Sequence, residues 1–153
     1  RVATKTLPTK ENKWKRTLEL DKICNICGRE TEDEYHAVIN CTKARALREE
    51  MRRQWELPTE DQFHYTGIDW LHNLLCNGNA EAQTKILLLI WRAWWLREDC
   101  VHAKGNATIS QSAQFLSKYA EEIRFGGVEL TECKAVPDLV GRRDSPGDVR
   151  REK

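Results

Sequence analysis

Long apolar runs are scarce in this chain of 153 residues. The most apolar stretch, ILLLIWRAWWL from Ile86 to Leu96, is eleven residues long and is interrupted by Arg92. A bilayer span takes about 20 apolar residues, so a buried helix is the expectation and a membrane partner is not. A secretory signal is missing as well, because the opening RVATKTLPTKENKWKR has no apolar segment. An intracellular setting, nucleus or cytoplasm, is expected, and the start at Arg1 rather than Met suggests a fragment of something longer. Charge of one sign is also lacking: 25 Lys and Arg stand against 24 Asp and Glu, so no global field draws in polyanions. A Gly-rich phosphate loop, a nucleophile–base pair at suggestive spacing and an open metal site are all absent. An enzyme acting on a small-molecule substrate is therefore not expected. There is no internal repeat, and no alternating strand-like run exceeds EYHAVIN (Glu34–Asn40).

What is present is helical periodicity and tryptophan. Six tryptophans and 40% hydrophobic residues suffice for a packed core, and a chain of this size buries roughly two-thirds of its unfolded surface. Ala44, Leu47, Met51 and Trp55 recur on one stripe of a helix that Thr42 can cap and that Leu57-Pro58 ends. Asp69 can cap a short helix carrying Trp70, Leu71, Leu74 and Leu75, which stops near Asn77–Asn79. A long helix follows from about Ala80 to about His102, apolar nearly all round in its middle, as a central core element should be. Lys104–Asn106 breaks it. Thr108 or Ser110 starts a last helix, with Ile109, Ala113, Leu116, Tyr119, Ala120 and Ile123 facing inward and Phe125-Gly126-Gly127 at its end. The expected fold is mainly α: a small Cys3His zinc finger packed on a helical bundle of about four helices. Three regions are expected: a zinc-finger region with its following helix (1–57), a helical bundle or connector (58–125), and a flexible tail rich in Pro, Gly, Arg and Asp (126–153).

The finger rests on CNICGRETEDEYHAVINC, Cys24 to Cys41, with the spacing C-x2-C-x8-H-x4-C. A C-x2-C pair supplies half of a tetrahedral zinc shell by local turn geometry, and Gly28 lets the chain turn back after Cys27. His36 and Cys41 supply the rest if Cys41 stands at the start of the Thr42 helix, whose N-terminus favours a thiolate. Three thiolates and one imidazole leave no position for water, so Cys24, Cys27, His36 and Cys41 are expected to hold one structural Zn2+. The competing reading is buried free thiols with a core histidine. Against it, the cluster lies in the most polar part of the chain, where a hydrophobic reason for cysteine is missing. Cys76, Cys100 and Cys133 have no companion spacing, and Cys100 reads as an inert buried thiol. His64, His72 and His102 likewise lack partners.

The ordered set LPTKENKWKR…CNICGRETEDEYHAVINCTKARALREEMRRQW resembles the zinc-binding region that follows the reverse transcriptase domain in plant LINE-type (non-LTR) retrotransposons. The LLLIWRAWWLREDCVH stretch is similar, more loosely, to the helix that joins this region to a C-terminal RNase H domain there. The resemblance implies a zinc-stabilised accessory module that handles nucleic acid. It does not bring the chemistry, since neither the polymerase aspartates nor the RNase H carboxylate strands are visible. Charge adds to this reading: residues 1–22 carry seven basic groups against three acidic, and Thr42–Arg53 carry five against two. Lys13, Lys15, Arg16, Lys43, Arg45 and Arg48 could contact the phosphates of single-stranded RNA or DNA, and Trp14 or Tyr35 could stack on a base. The alternative is a domesticated retroelement remnant acting as a non-catalytic protein–protein interaction module, with some tryptophans forming the partner surface.

Overall fold

The computed structural model of the chain describes residues 1–102 and 107–125. The expected break at Lys104–Asn106, the glycines expected to end the last helix, Cys133 and the tail over 126–153 lie outside the described residues. Among the described residues five α-helices form: α1 (Lys10–Lys15), α2 (Thr42–Met51), α3 (Trp70–Cys76), α4 (Ala80–His102) and α5 (Ile109–Phe125). A π-helical turn over His36–Asn40 and a 3-10 turn over Glu60–Phe63 complete the secondary structure. Among the described residues there is no strand, and a single antiparallel bridge joins Ile23 to Thr31. The fold is mainly α with a Cys3His cluster, as expected. No described helix is long and apolar enough to cross a membrane.

Local chemistry accounts for the helix ends. Thr108 and Gln111 close a reciprocal capping box, each side chain accepting from the other's amide at 3.1 Å. Asn79 starts α4 by accepting from the Ala82 amide at 2.9 Å. Helix α1 is only six residues long and would not persist alone. Thr9 caps it, and its Lys10 and Glu11 amides donate to Glu32 at 3.0 and 3.1 Å.

Helix α2 lies against α4 and α5, and the π-helical turn packs on α2 and α4. Leu47, Met51, Ile86, Leu96 and Leu116 are fully buried where these elements meet. One apolar cluster runs without a break from Cys24 and Val38 in the finger to Leu116 on α5. The finger is also joined to the core by charge. Arg97 on α4, 2% exposed, donates to the fully buried Glu32 at 2.5 Å and lies 4.8 Å over the Trp94 ring.

Several sequence expectations need correction: α2 ends at Met51, short of Leu57-Pro58, Cys41 rather than Thr42 is its N-cap residue, and Asp69 precedes α3 without a side-chain cap bond. Tyr119 and Ile123 do not face the core but lie exposed on α5. Helix α4 is not enclosed on all sides either: Ile86, Leu89, Ile90, Ala93 and Leu96 are buried, while Leu87, Trp91 and Trp95 face outward. The cause is the arrangement of neighbours, since α2, α3, the π-helical turn and α5 cover only part of its circumference.

Candidate metal centre

The finger begins with a tight turn. The Cys24 amide donates to the Glu30 carbonyl at 2.9 Å, and the Gly28 amide donates back to the Cys24 carbonyl at 2.8 Å. Gly28 sits at φ +65°, the left-handed region that glycine enters without strain. The turn aims amides at sulfur: those of Ile26 and Cys27 at Cys24, and those of Arg29 and Glu30 at Cys27.

The second half depends on the π-helical turn. Residues five apart on an α-helix diverge by about 140° around the axis, so His36 and Cys41 could not converge on one point there. The wider turn closes with the Cys41 amide donating to the His36 carbonyl at 2.7 Å, which brings the two together. Asp33 starts the turn by accepting from the His36 amide at 2.7 Å. Cys41 then precedes α2 and receives the Lys43 amide on its sulfur, as a thiolate at a helix N-terminus should.

The four ligand atoms lie within 4.8 Å of one another. The Cys24 and Cys41 sulfurs are 3.8 Å apart, and the Cys27 sulfur is 3.4 Å from His36 Nε2. In a tetrahedron with Zn–S of about 2.3 Å and Zn–N of about 2.0–2.1 Å, those edges should be about 3.8 and about 3.6 Å. The donor set and its spacing therefore fit zinc.

Without a metal the cluster is electrostatically divided. Burial pushes the Cys24 thiol up to about 12, with the neighbouring Cys41 sulfur adding to the rise. Burial also opposes ionisation of Cys27, but the Glu30 and Arg29 amides and the His36 ring outweigh it and bring that thiol down to about 7. Cys41 is lowered in the same way, against burial, by His36 and the Lys43 amide. His36 is raised to about 9 despite burial, because the Cys41 sulfur and the Glu30 carboxylate favour its cation. Negative sulfur is thus favoured around one point, and a divalent cation held there by the four residues would displace the protons that remain on Cys24 and His36.

The sequence reading missed the residues that orient His36. Its Nδ1 lies 3.0 Å from a Glu30 oxygen that also accepts from the Asn40 side chain at 2.6 Å. A carboxylate on the far nitrogen fixes the tautomer and leaves Nε2 free to bind a metal. The available signal was an acidic residue between the C-x2-C pair and the histidine. Replacing Glu30 with Ala should weaken zinc binding by about 10–100-fold, measured by competition with a chromophoric chelator. Unchanged affinity would show that Glu30 merely sits nearby.

The residues expected at a nucleic-acid surface are divided by the fold. Trp14 is 45% exposed, with the Lys22 ammonium 5.4 Å above its ring. Lys15 pairs with Glu11 at 3.1 Å, Lys13 is half-buried and Arg16 is exposed. Arg45 is exposed and donates to the Asn40 side-chain oxygen Oδ1, while the Lys43 ammonium donates to the half-buried Cys100 thiol. Tyr35 and Arg48 are engaged inside the protein. The Tyr35 hydroxyl donates to the Phe63 carbonyl at 2.7 Å, and its ring meets Trp70 edge-on at 5.2 Å. Arg48 is buried, grips Glu60 with two bonds of 2.8 and 2.9 Å and donates to the Ile39 carbonyl at 3.0 Å. His64, His72 and His102 are exposed. His72 lies 3.3 Å from Cys76 on α3, but no third ligand among the described residues joins them.

Neither the curated proteins nor the solved structures compared with this chain gave a match. Residues 1–47, which include all four ligands and the start of α2, match the family model described as zinc-binding in reverse transcriptase.

Proposed function

We propose that the chain is a zinc-stabilised, nucleic-acid-binding accessory module derived from a retrotransposon reverse transcriptase protein, holding one structural zinc and carrying no catalysis of its own. The observation that carries this reading is Trp14, half-exposed under Lys22 and next to Lys13, Lys15 and Arg16, on the segment fastened to the Cys3His cluster. An open indole face among cations suits an unpaired base with its phosphates. The family match to residues 1–47 and the four-ligand cluster agree with it. On the same reading the source is a plant LINE-type element, α4 corresponds to the connector before an RNase H domain, and the setting is nucleus or cytoplasm. The partner is single-stranded RNA or DNA, with no membrane and no small-molecule substrate.

The test is a salt titration of single-strand binding. Neutralising Lys13, Lys15, Arg16, Lys43 and Arg45 should flatten the log-log salt slope by about 3–4, at roughly 0.7 per phosphate contact. Arg48 is left out because Glu60 already holds it. Trp14→Ala should cost about 1–3 kcal/mol of binding without changing that slope. Neutralising Arg142, Arg143, Arg150 and Arg151 is the control. Binding that is undetectable at physiological salt, or that depends on those four arginines alone, overturns the reading. A non-catalytic protein–protein interaction module would then take its place, favoured by the aromatic face exposed on α4 and α5.

A further inference from the structure

The largest unexplained feature lies away from the metal. Leu87, Trp91 and Trp95 follow one another at four-residue intervals on α4, and Phe115, Tyr119 and Ile123 do the same on α5. Four-residue spacing sets each trio in a single row along its helix. Trp91 joins the rows, with ring centres 5.9 Å from Phe115 and 6.0 Å from Tyr119, and Phe115 stacks on Tyr119 at 5.7 Å. All six are 38–48% exposed. At roughly 200 Å² per large side chain, they leave on the order of 500 Å² of apolar surface in contact with water. A patch of that size is at the upper end for a monomer and marks an interaction site.

We propose that this face binds a second copy of the chain, forming a twofold-symmetric dimer. Area is the first argument. A stable pair buries about 800 Å² per partner, so these six side chains provide more than half and a polar rim completes it. Shape is the second. α4 and α5 are antiparallel, because Trp91 meets Phe115 and Tyr119 across a connection of only residues 103–108. A twofold axis along the helices lays each α4 over the partner's α5, so all facing helices run antiparallel, as in a four-helix bundle. Charge is the third. The rim carries both signs, Glu98 and His102 on α4 and Lys118 and Glu122 on α5, which suits a partner with the same rim. A nucleic acid would need accessible cations here, and the one guanidinium in the face, Arg92, is buried between the rings, 4.0 Å over Trp95 and 4.6 Å over Phe115. The inference is independent of the nucleic-acid reading, which concerns the opposite end of the sequence.

Sedimentation of the full zinc-loaded chain across the micromolar range tests it. The expected result is a concentration-dependent shift to two chains. Trp91→Gln with Tyr119→Gln should raise the dissociation constant by about thirtyfold or more, as removal of central aromatic anchors does. Helical signal and zinc content should not change. If that pair loses helical signal, Phe115→Gln with Ile123→Gln, two exposed positions, makes the same test. A chain that stays monomeric overturns the proposal, whether a collisional quencher reaches Trp91 (a different partner or none) or fails to (residues 126–153 cover it). A dimer that ignores all four substitutions overturns it too, since another face would then be responsible.

Discussion

Removing the metal is expected to unfold the finger and leave the helices largely standing. Between Ile23 and Thr31 the only regular backbone pairing is one bridge, and Cys24 and Cys41, two of the finger's buried side chains, belong to the Cys3His cluster. Structural zinc contributes roughly 10–16 kcal/mol of apparent binding at neutral pH, more than so short a segment can gain by burial. Cys27→Ser should act like chelation. It takes away the thiol already poised for ionisation at about 7 and leaves three donors around a shell built for four. Amide exchange should show loss of protection at Cys24, Gly28 and Cys41, while the α4 and α5 amides stay protected. Protection that survives in Cys27→Ser would mean the finger is held by packing alone.

The second large effect concerns the bolt between finger and core. Arg97→Ala strands the carboxylate of Glu32, which is fully buried and whose other acceptor contact is the Lys10 amide. Breaking a buried pair from one side typically costs about 3–5 kcal/mol, because the remaining charge is left without compensation. Urea unfolding should show a lowered midpoint at an unchanged slope. Arg97→Met combined with Glu32→Gln removes both charges and should recover much of the loss, since the attraction in such a pair is largely offset by desolvation. If the double variant is as unstable as the single, the loss comes from the Arg97 guanidinium's contact with the Trp94 ring rather than from its pairing with Glu32.

These two predictions differ in how far the sequence foretold them. The Cys3His cluster was legible because a zinc site fixes both residue type and spacing, and no other local reason placed cysteine among so many carboxylates. The starts of α2, α4 and α5 were legible because apolar period and breakers agreed near Thr42, Ala80 and Thr108, whereas α2 stops at Met51 rather than at Leu57-Pro58. Glu32 and Arg97 were not, being 65 positions apart. Within RETEDE a buried acid looks the same as its solvated neighbours, and only the folded chain distinguishes them. Arg48 was misread for the same reason: Glu60, which neutralises it, stands beyond a proline and a loop. Helix α1 escaped notice because its six residues are stabilised by Thr9 and by contacts to Glu32, not by their own period. The outward turn of Tyr119 and Ile123 shows the remaining gap. Periodicity identifies an apolar face but not whether the same chain supplies its cover.

Zinc-edge X-ray absorption on the purified chain tests the central claim most directly. The account predicts one zinc per chain with three sulfurs at about 2.3 Å, one nitrogen at about 2.0–2.1 Å and no oxygen ligand. Cys27→Ser should lose that signature. A chain that carries no zinc, or a shell with bound water and fewer than three sulfurs, would contradict it.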